Sequence, residues 1–129
     1  MSKILLPPTT RRTIQATSKV IHTAYPRVIY VVELDPAAAS DPVFAMDNPH
    51  LFEGKMPCVY VGSTSLTVEE RFRQHLTGVN AARIVALWGQ KLRYDLMPVQ
   101  KPIQRERALM LERSLARDLR RQGFAVSQH

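Results

Sequence analysis

Apolar residues along this chain recur with two periods, two and roughly 3.6, and the places where one gives way to the other mark its elements. Val28-Ile29-Tyr30-Val31-Val32-Glu33-Leu34 is rich in β-branched and aromatic residues and predicts a strand. Cys58-Val59-Tyr60-Val61-Gly62 predicts a second. Leu92, Tyr94 and Leu96 alternate with Arg93, Asp95 and Met97, which predicts a half-buried third strand. Thr67-Val68-Glu69-Glu70 has the form of a capping box, so a short helix should start at Val68 and close at Gly78, with Phe72 and Leu76 inward. Asn80 then caps another short helix that runs through Trp88, has Ile84, Leu87 and Trp88 inward and stops at Gly89. A long helix begins close to Pro102, where proline is tolerated. Its apolar stripe is Ala108, Leu111, Leu115 and Leu119, while Arg105, Arg107, Arg113, Arg117, Arg120 and Arg121 largely face elsewhere. Gly123 ends that helix, and Phe124-Ala125-Val126 forms a short closing strand.

Two stretches fall outside this scheme. Residues 1–27 read as an arm or peripheral helix, with Ile14, Thr17/Ser18 and Ile21 at helical spacing and Pro26 as its stop. Residues 35–57 carry Pro36, Pro42, Pro49 and Pro57 and read as a long loop, with Val43-Phe44-Ala45-Met46 and Leu51-Phe52 packing down. Loops beyond about 12–15 residues are uncommon unless they are functional or disordered. The fold class is α+β: a small, about three-stranded antiparallel sheet flanked by helices, in one domain over residues 28–129. No apolar run is long enough to span a membrane, and the amino terminus is too short in apolar residues for a signal peptide. Cys58 is the single cysteine, which excludes a disulfide framework and a Cys-rich zinc site. A cytoplasmic domain without a membrane partner is the expectation.

Charge sharpens the picture through its placement. The net charge is +7 over 129 residues. Residues 1–70 carry 6 Lys/Arg and 7 Asp/Glu, whereas residues 71–129 carry 12 and 4. Ten of those 12 basic residues are arginine, whose planar fork suits phosphate oxygens. A polyanionic partner, nucleic acid before others, fits this half; a merely solvated basic face fits it as well.

Two constellations carry candidate chemistry. Arg71 and His75 lie four apart on one helix face, so both reach one point, a pairing suited to a phosphate and a proton transfer. Two exposed polar residues on a surface helix would give the same spacing. Glu112 is the second. At about 100° per residue it falls within the sector of Ala108, Leu111, Leu115 and Leu119, while Glu106 falls toward solvent. A carboxylate in an apolar stripe is costly unless it is paired or holds a cation. A salt bridge to an arginine and a ligand role toward Mg²⁺ are both open.

In this order, Val28-Ile29-Tyr30, Tyr60-Val61-Gly62-Ser63-Thr64, Glu69-Glu70-Arg71-Phe72-Arg73-Gln74-His75 and Glu112 resemble the GIY-YIG nuclease domain over residues 28–126. The resemblance implies an endonuclease that hydrolyses phosphodiester bonds, of DNA before RNA, with one Mg²⁺ or Mn²⁺. Glu112 would hold the metal. Arg71 would stabilise charge on the phosphoryl oxygens, Tyr30 or Tyr60 would act on the attacking water, and His75 would accept or relay the proton. Gly62 would let the backbone approach substrate. Ser63 and Thr64 would contact the nucleic-acid phosphate or cap the following loop, and Arg73, Lys91, Arg93 and Arg105 would contact nucleic acid.

Two departures stand out: Val28 replaces the first glycine of the family's name, and 29 residues separate the two tyrosines, far more than a hairpin connection. With no separate recognition domain, specificity would come from the insertion at 35–57, a homodimer or a protein partner. A GIY-YIG-like module that binds nucleic acid without cutting it is the alternative. A protein-interaction module that uses the insertion is a third reading.

Overall fold

The computed structural model describes residues 26–49, 57–98 and 101–128. Four strands, β1 (Val28–Leu34), β2 (Cys58–Thr64), β3 (Gly89–Leu92) and β4 (Ala125–Gln128), form one sheet in the order β3-β1-β2-β4. β1 pairs antiparallel with β2 along its whole length, Tyr30 facing Gly62 and Val32 facing Tyr60. β4 runs parallel to β2, Cys58 facing Ala125, so the sheet is mixed and not purely antiparallel as expected. The reason is topological: the 17-residue helix that precedes β4 returns the chain along the sheet, as a parallel neighbour requires.

Alternation along β1 and β2 divides the core in two. Tyr30, Val32, Leu34, Cys58 and Tyr60 pack on one side with α2 (Val68–Thr77) and α3 (Arg83–Trp88). Ile29, Val31, Val59 and Val61 pack on the other with Ala108, Ala116 and Leu119 of α4 (Arg105–Arg121). The expected α+β class holds, with four strands and not three.

Several local expectations are corrected. Only Gly89–Leu92 is strand, and Tyr94–Leu96 is a 3₁₀ turn. The Arg93 guanidinium grips Asp95, two residues on, through Nε and Nη2 at 2.9 Å each, which curls the chain where alternation suggested extension. The cap of α3 is Ala82 and not Asn80, which lies in a turn with φ +47°. Leu87 is exposed, while Ile84 is buried and Trp88 packs against the core. On α2, Leu76 is half-exposed and His75 takes the buried position beside Phe72. The capping box of Thr67 and Glu70 and the left-handed Gly78 (φ 86°) are present as expected.

The long connection after β1 has structure of its own among its described residues: a 3₁₀ turn at Pro36–Ser40 and helix α1 (Pro42–Asp47). Asp35 and Asp41 cap these, and Asp41 also pairs with Arg83 of α3 at 2.8 Å. Phe44 is buried as expected, whereas Val43 and Met46 are exposed. Leu51 and Phe52, and the proposed helix within 1–25, lie outside the described residues.

Asn48 fastens this segment to the sheet. It is fully buried; its Nδ2 donates to the carbonyls of Phe44 (2.9 Å) and Val126 (3.0 Å), and its Oδ1 accepts from the Val126 amide (2.8 Å). Arg120 Nε donates to the same Oδ1 at 3.3 Å. Asn48→Ala strands buried groups of β4, so a loss of about 3 kcal/mol is expected in denaturant unfolding. A loss below about 1 kcal/mol would show that the segment is not held by this side chain.

Candidate functional site

At the end of the sheet where β1 begins and β2 finishes, a cleft of about 230 Å³ opens. Its lining includes Arg27, Tyr30, Tyr60, Ser63, Arg71 and Asn80. Tyr30 and Tyr60 come from adjacent strands and the same sheet face, with ring centroids 6.1 Å apart. Gly62 lies between them. A Cβ there would stand 2.7 Å from Tyr30 Oη and 2.9 Å from Tyr60 Cε2. The glycine is thus needed to seat the two rings, a tighter demand than the expected backbone approach to substrate.

The turn from α2 to α3 organises the remaining polar groups. Arg71 donates from Nη2 to the Asn80 carbonyl and from Nη1 to Gln74 Oε1, both at 2.8 Å. His75 is fully buried, with Nε2 2.7 Å from Tyr30 Oη. The backbone amide of Ala82 donates to His75 Nδ1 at 3.0 Å. A nitrogen that accepts this bond carries no proton, so the imidazole proton sits on Nε2 and is donated to Tyr30 Oη. His75 is therefore a donor at this contact, so of the two expected roles, proton acceptor or relay, this tautomer does not present Nε2 to Tyr30 as an acceptor.

Tyr30 and Tyr60 differ in electrostatic setting. Burial raises the pKa of Tyr30, Glu112 adds to the rise, and Arg71 together with a hydrogen bond from Tyr60 oppose it. Tyr60 is raised further, by burial first, then by the charges of Tyr30 and Glu112 and by the hydrogen bond it gives to Tyr30. The phenolate is thus less disfavoured on Tyr30, which collects donors, than on Tyr60, which acts as one.

Glu112 lies on the sheet-facing side of α4, fully buried between Ala108 and Ala116. Its helix neighbours pack against the sheet face opposite the tyrosine rings, and Glu112 is not among the residues that line the cleft. Its charge nevertheless acts on both tyrosine hydroxyls. A hydrated Mg²⁺ takes one or two carboxylates and completes its shell with phosphate and water. A single carboxylate whose charge reaches the tyrosines fits such an ion in donor type. It does not fit a cation caged by protein, because no group of three His, Cys, Asp or Glu side chains among the described residues is placed to share a metal.

The other expected nucleic-acid contacts divide. Ser63 and Thr64 line the cleft, and Thr64 Oγ1 also accepts from the Leu66 amide at 3.0 Å, which caps the following loop. Arg73, Lys91 and Arg105 are exposed on the surface. Arg93 is not available in the expected way: it bonds Asp95 and Glu33 and lies 5.9 Å over the Phe124 ring. Its role is to fasten β3 and the turn after it. Arg27 in the cleft was missed, because nothing in the sequence around it marks a site. Asn80 and Ala82, which brace Arg71 and His75 through backbone groups, were missed for a similar reason.

No helix among the described residues is long and apolar enough to cross a membrane. Comparison with known proteins finds no matching family model, curated protein or solved structure.

Proposed function

We propose that this protein is a phosphodiester hydrolase of the GIY-YIG type that acts on nucleic acid, DNA before RNA. The observation that carries this reading is the Tyr30 hydroxyl, held at 2.7 Å by His75 Nε2 in a cleft that also contains Tyr60 and Arg71. A phosphate seated there meets the guanidinium of Arg71, already aimed by Asn80 and Gln74. That charge stabilises the developing negative charge on the phosphoryl oxygens. Tyr30 takes the proton of the attacking water, and Arg71 and Tyr60 stabilise the phenolate that does so. His75 fixes the direction of the Tyr30 oxygen. Glu112 would hold Mg²⁺ or Mn²⁺, which when bound polarises the phosphoryl group.

A second reading, a nucleic-acid-binding module that does not cut, draws support from the complete burial of Glu112 outside the cleft lining. Cleavage of a labelled DNA duplex with and without Mg²⁺ separates the two. The hydrolase reading expects metal-dependent products, reduced about a hundredfold in Arg71→Ala, the scale of a lost oxyanion donor. It expects a comparable loss in Glu112→Gln. Binding with no metal-dependent products would leave the module reading in place, and cleavage at the wild-type rate by both variants would remove the hydrolase reading.

A further inference from the structure

One basic residue in the cleft has a fixed position and a guanidinium head whose Nη groups no other described residue engages. Arg27 precedes β1, and its backbone amide and carbonyl pair with those of Ile103 at 2.6 and 2.9 Å. Its Nε donates to Ser63 Oγ at 3.3 Å, so the stem is held at the cleft wall. Among the described residues no carboxylate pairs with Arg27, and its Nη1 and Nη2 groups make no hydrogen bond to them. Other arginines near the core are committed: Arg83 to Asp41, Arg93 to Glu33 and Asp95, Arg120 to Asn48 and Val126, and Arg71 to Gln74 and Asn80. Two parallel N–H groups aimed from a fixed stem suit a phosphate in bidentate fashion.

The Ile103 pairing also places Arg27 beside the approach to α4, where Lys101, Arg105 and Arg107 are exposed. Positive charge therefore continues from the cleft past Arg27 and onto the surface. A lone phosphate needs one arginine. A strand of nucleic acid brings a second phosphate next to the first.

We propose that Arg27 binds a second phosphate of the substrate strand, adjacent to the one held at Arg71, so that the substrate is a polynucleotide chain and not an isolated phosphate ester. This rests on the phosphodiester reading of the cleft. The role is that of a substrate-binding residue and involves no proton transfer.

The test is Arg27→Gln in the full chain, with Arg27→Lys and Ser63→Ala beside it. The backbone pairing with Ile103 does not depend on the Arg27 side chain, and thermal melting verifies that the variants fold. For DNA oligonucleotide binding, the slope of log Kd against log salt should fall by about one in Arg27→Gln and stay near wild type in Arg27→Lys. The kcat/KM on the oligonucleotide should drop about tenfold, a typical phosphate contact, while that on bis(4-nitrophenyl) phosphate, which has a single phosphodiester, should not change. Ser63→Ala, which releases Nε but keeps the charge, should leave the salt slope unchanged. An unchanged slope in Arg27→Gln, equal losses on both substrates, or no salt-dependent binding by the wild type would overturn the assignment. If neither substrate is turned over but the slope falls by one, Arg27 keeps its role and the hydrolase reading fails.

Discussion

Tyr30→Phe is expected to lower phosphodiester cleavage about a thousandfold, the middle of the range for loss of a general base. The same change should cost only about 1–2 kcal/mol of stability, because it leaves the buried His75 Nε2–H without its acceptor but keeps the ring and removes only the hydroxyl. The two scales separate a catalytic role from a structural one: a structural tyrosine would lose activity only as far as the fold melts. Tyr60→Phe should have the smaller effect on rate, because Tyr60 donates to Tyr30 and has the higher pKa of the two.

The pH profile gives this prediction a sign. An ordinary tyrosine titrates near 10, and burial holds Tyr30 above that value even against Arg71. In the proposed hydrolase the active form is the phenolate, so kcat/KM should climb about tenfold per pH unit and show no plateau below about pH 10. A plateau reached near neutral pH would exclude Tyr30 as the base. The fold favours the neutral form of both tyrosines, so their contribution to stability is complete below the unfolded value of about 10 and is lost as pH rises above it. Rates are best compared between pH 7 and 9, where the protein keeps that contribution.

Gly62→Ala is expected to damage fold and site together. The new methyl would stand 2.7 Å from Tyr30 Oη, 2.8 Å from Tyr30 Cζ and 2.9 Å from Tyr60 Cε2. Both rings are buried, and Tyr30 Oη is held by His75. One strand must shift or one ring must leave its rotamer, at a cost of about 2–3 kcal/mol, as for overpacked cores. Cleavage should fall as far as in Tyr30→Phe, because the hydroxyl is the atom displaced. Denaturant unfolding of Gly62→Ala, Tyr30→Phe and the double variant checks the cause. Removing the hydroxyl relieves the shortest overlap, so the double variant should lose less stability than the two single losses added together. Simple additivity would show that the methyl acts elsewhere.

The legible parts of the site were those encoded by short-range pattern. Arg71 and His75 were placed on one helix by their spacing of four, and the Thr67–Glu70 capping box fixed where that helix starts. Glu112 was found on the helical wheel, and its complete burial agrees with the sector assigned to it. The paired strands followed from their β-branched composition. What failed was reading across gaps. Leu92, Tyr94 and Leu96 alternate like a strand, but the Arg93–Asp95 clamp turns the chain after Leu92. Sequence groups Arg93 with the phosphate-binding arginines because composition does not reveal that Glu33 and Asp95 stand beside it.

By itself, then, the sequence determined the α+β class, the two tyrosine strands, the basic second half and the helices that carry Arg71, His75 and Glu112. Those features rest on periodicity, capping and side-chain size, which act between residues a few positions apart. Only the tertiary structure decided that β4 runs parallel to β2, that Asn48 pins the long connection to Val126, and that Arg27 shares a cleft with Arg71. It also set the direction of the His75–Tyr30 hydrogen bond, through a backbone amide seven residues beyond the histidine. These depend on backbone groups and distant side chains whose meeting is set by how the sheet and helices pack, and no local pattern encodes that.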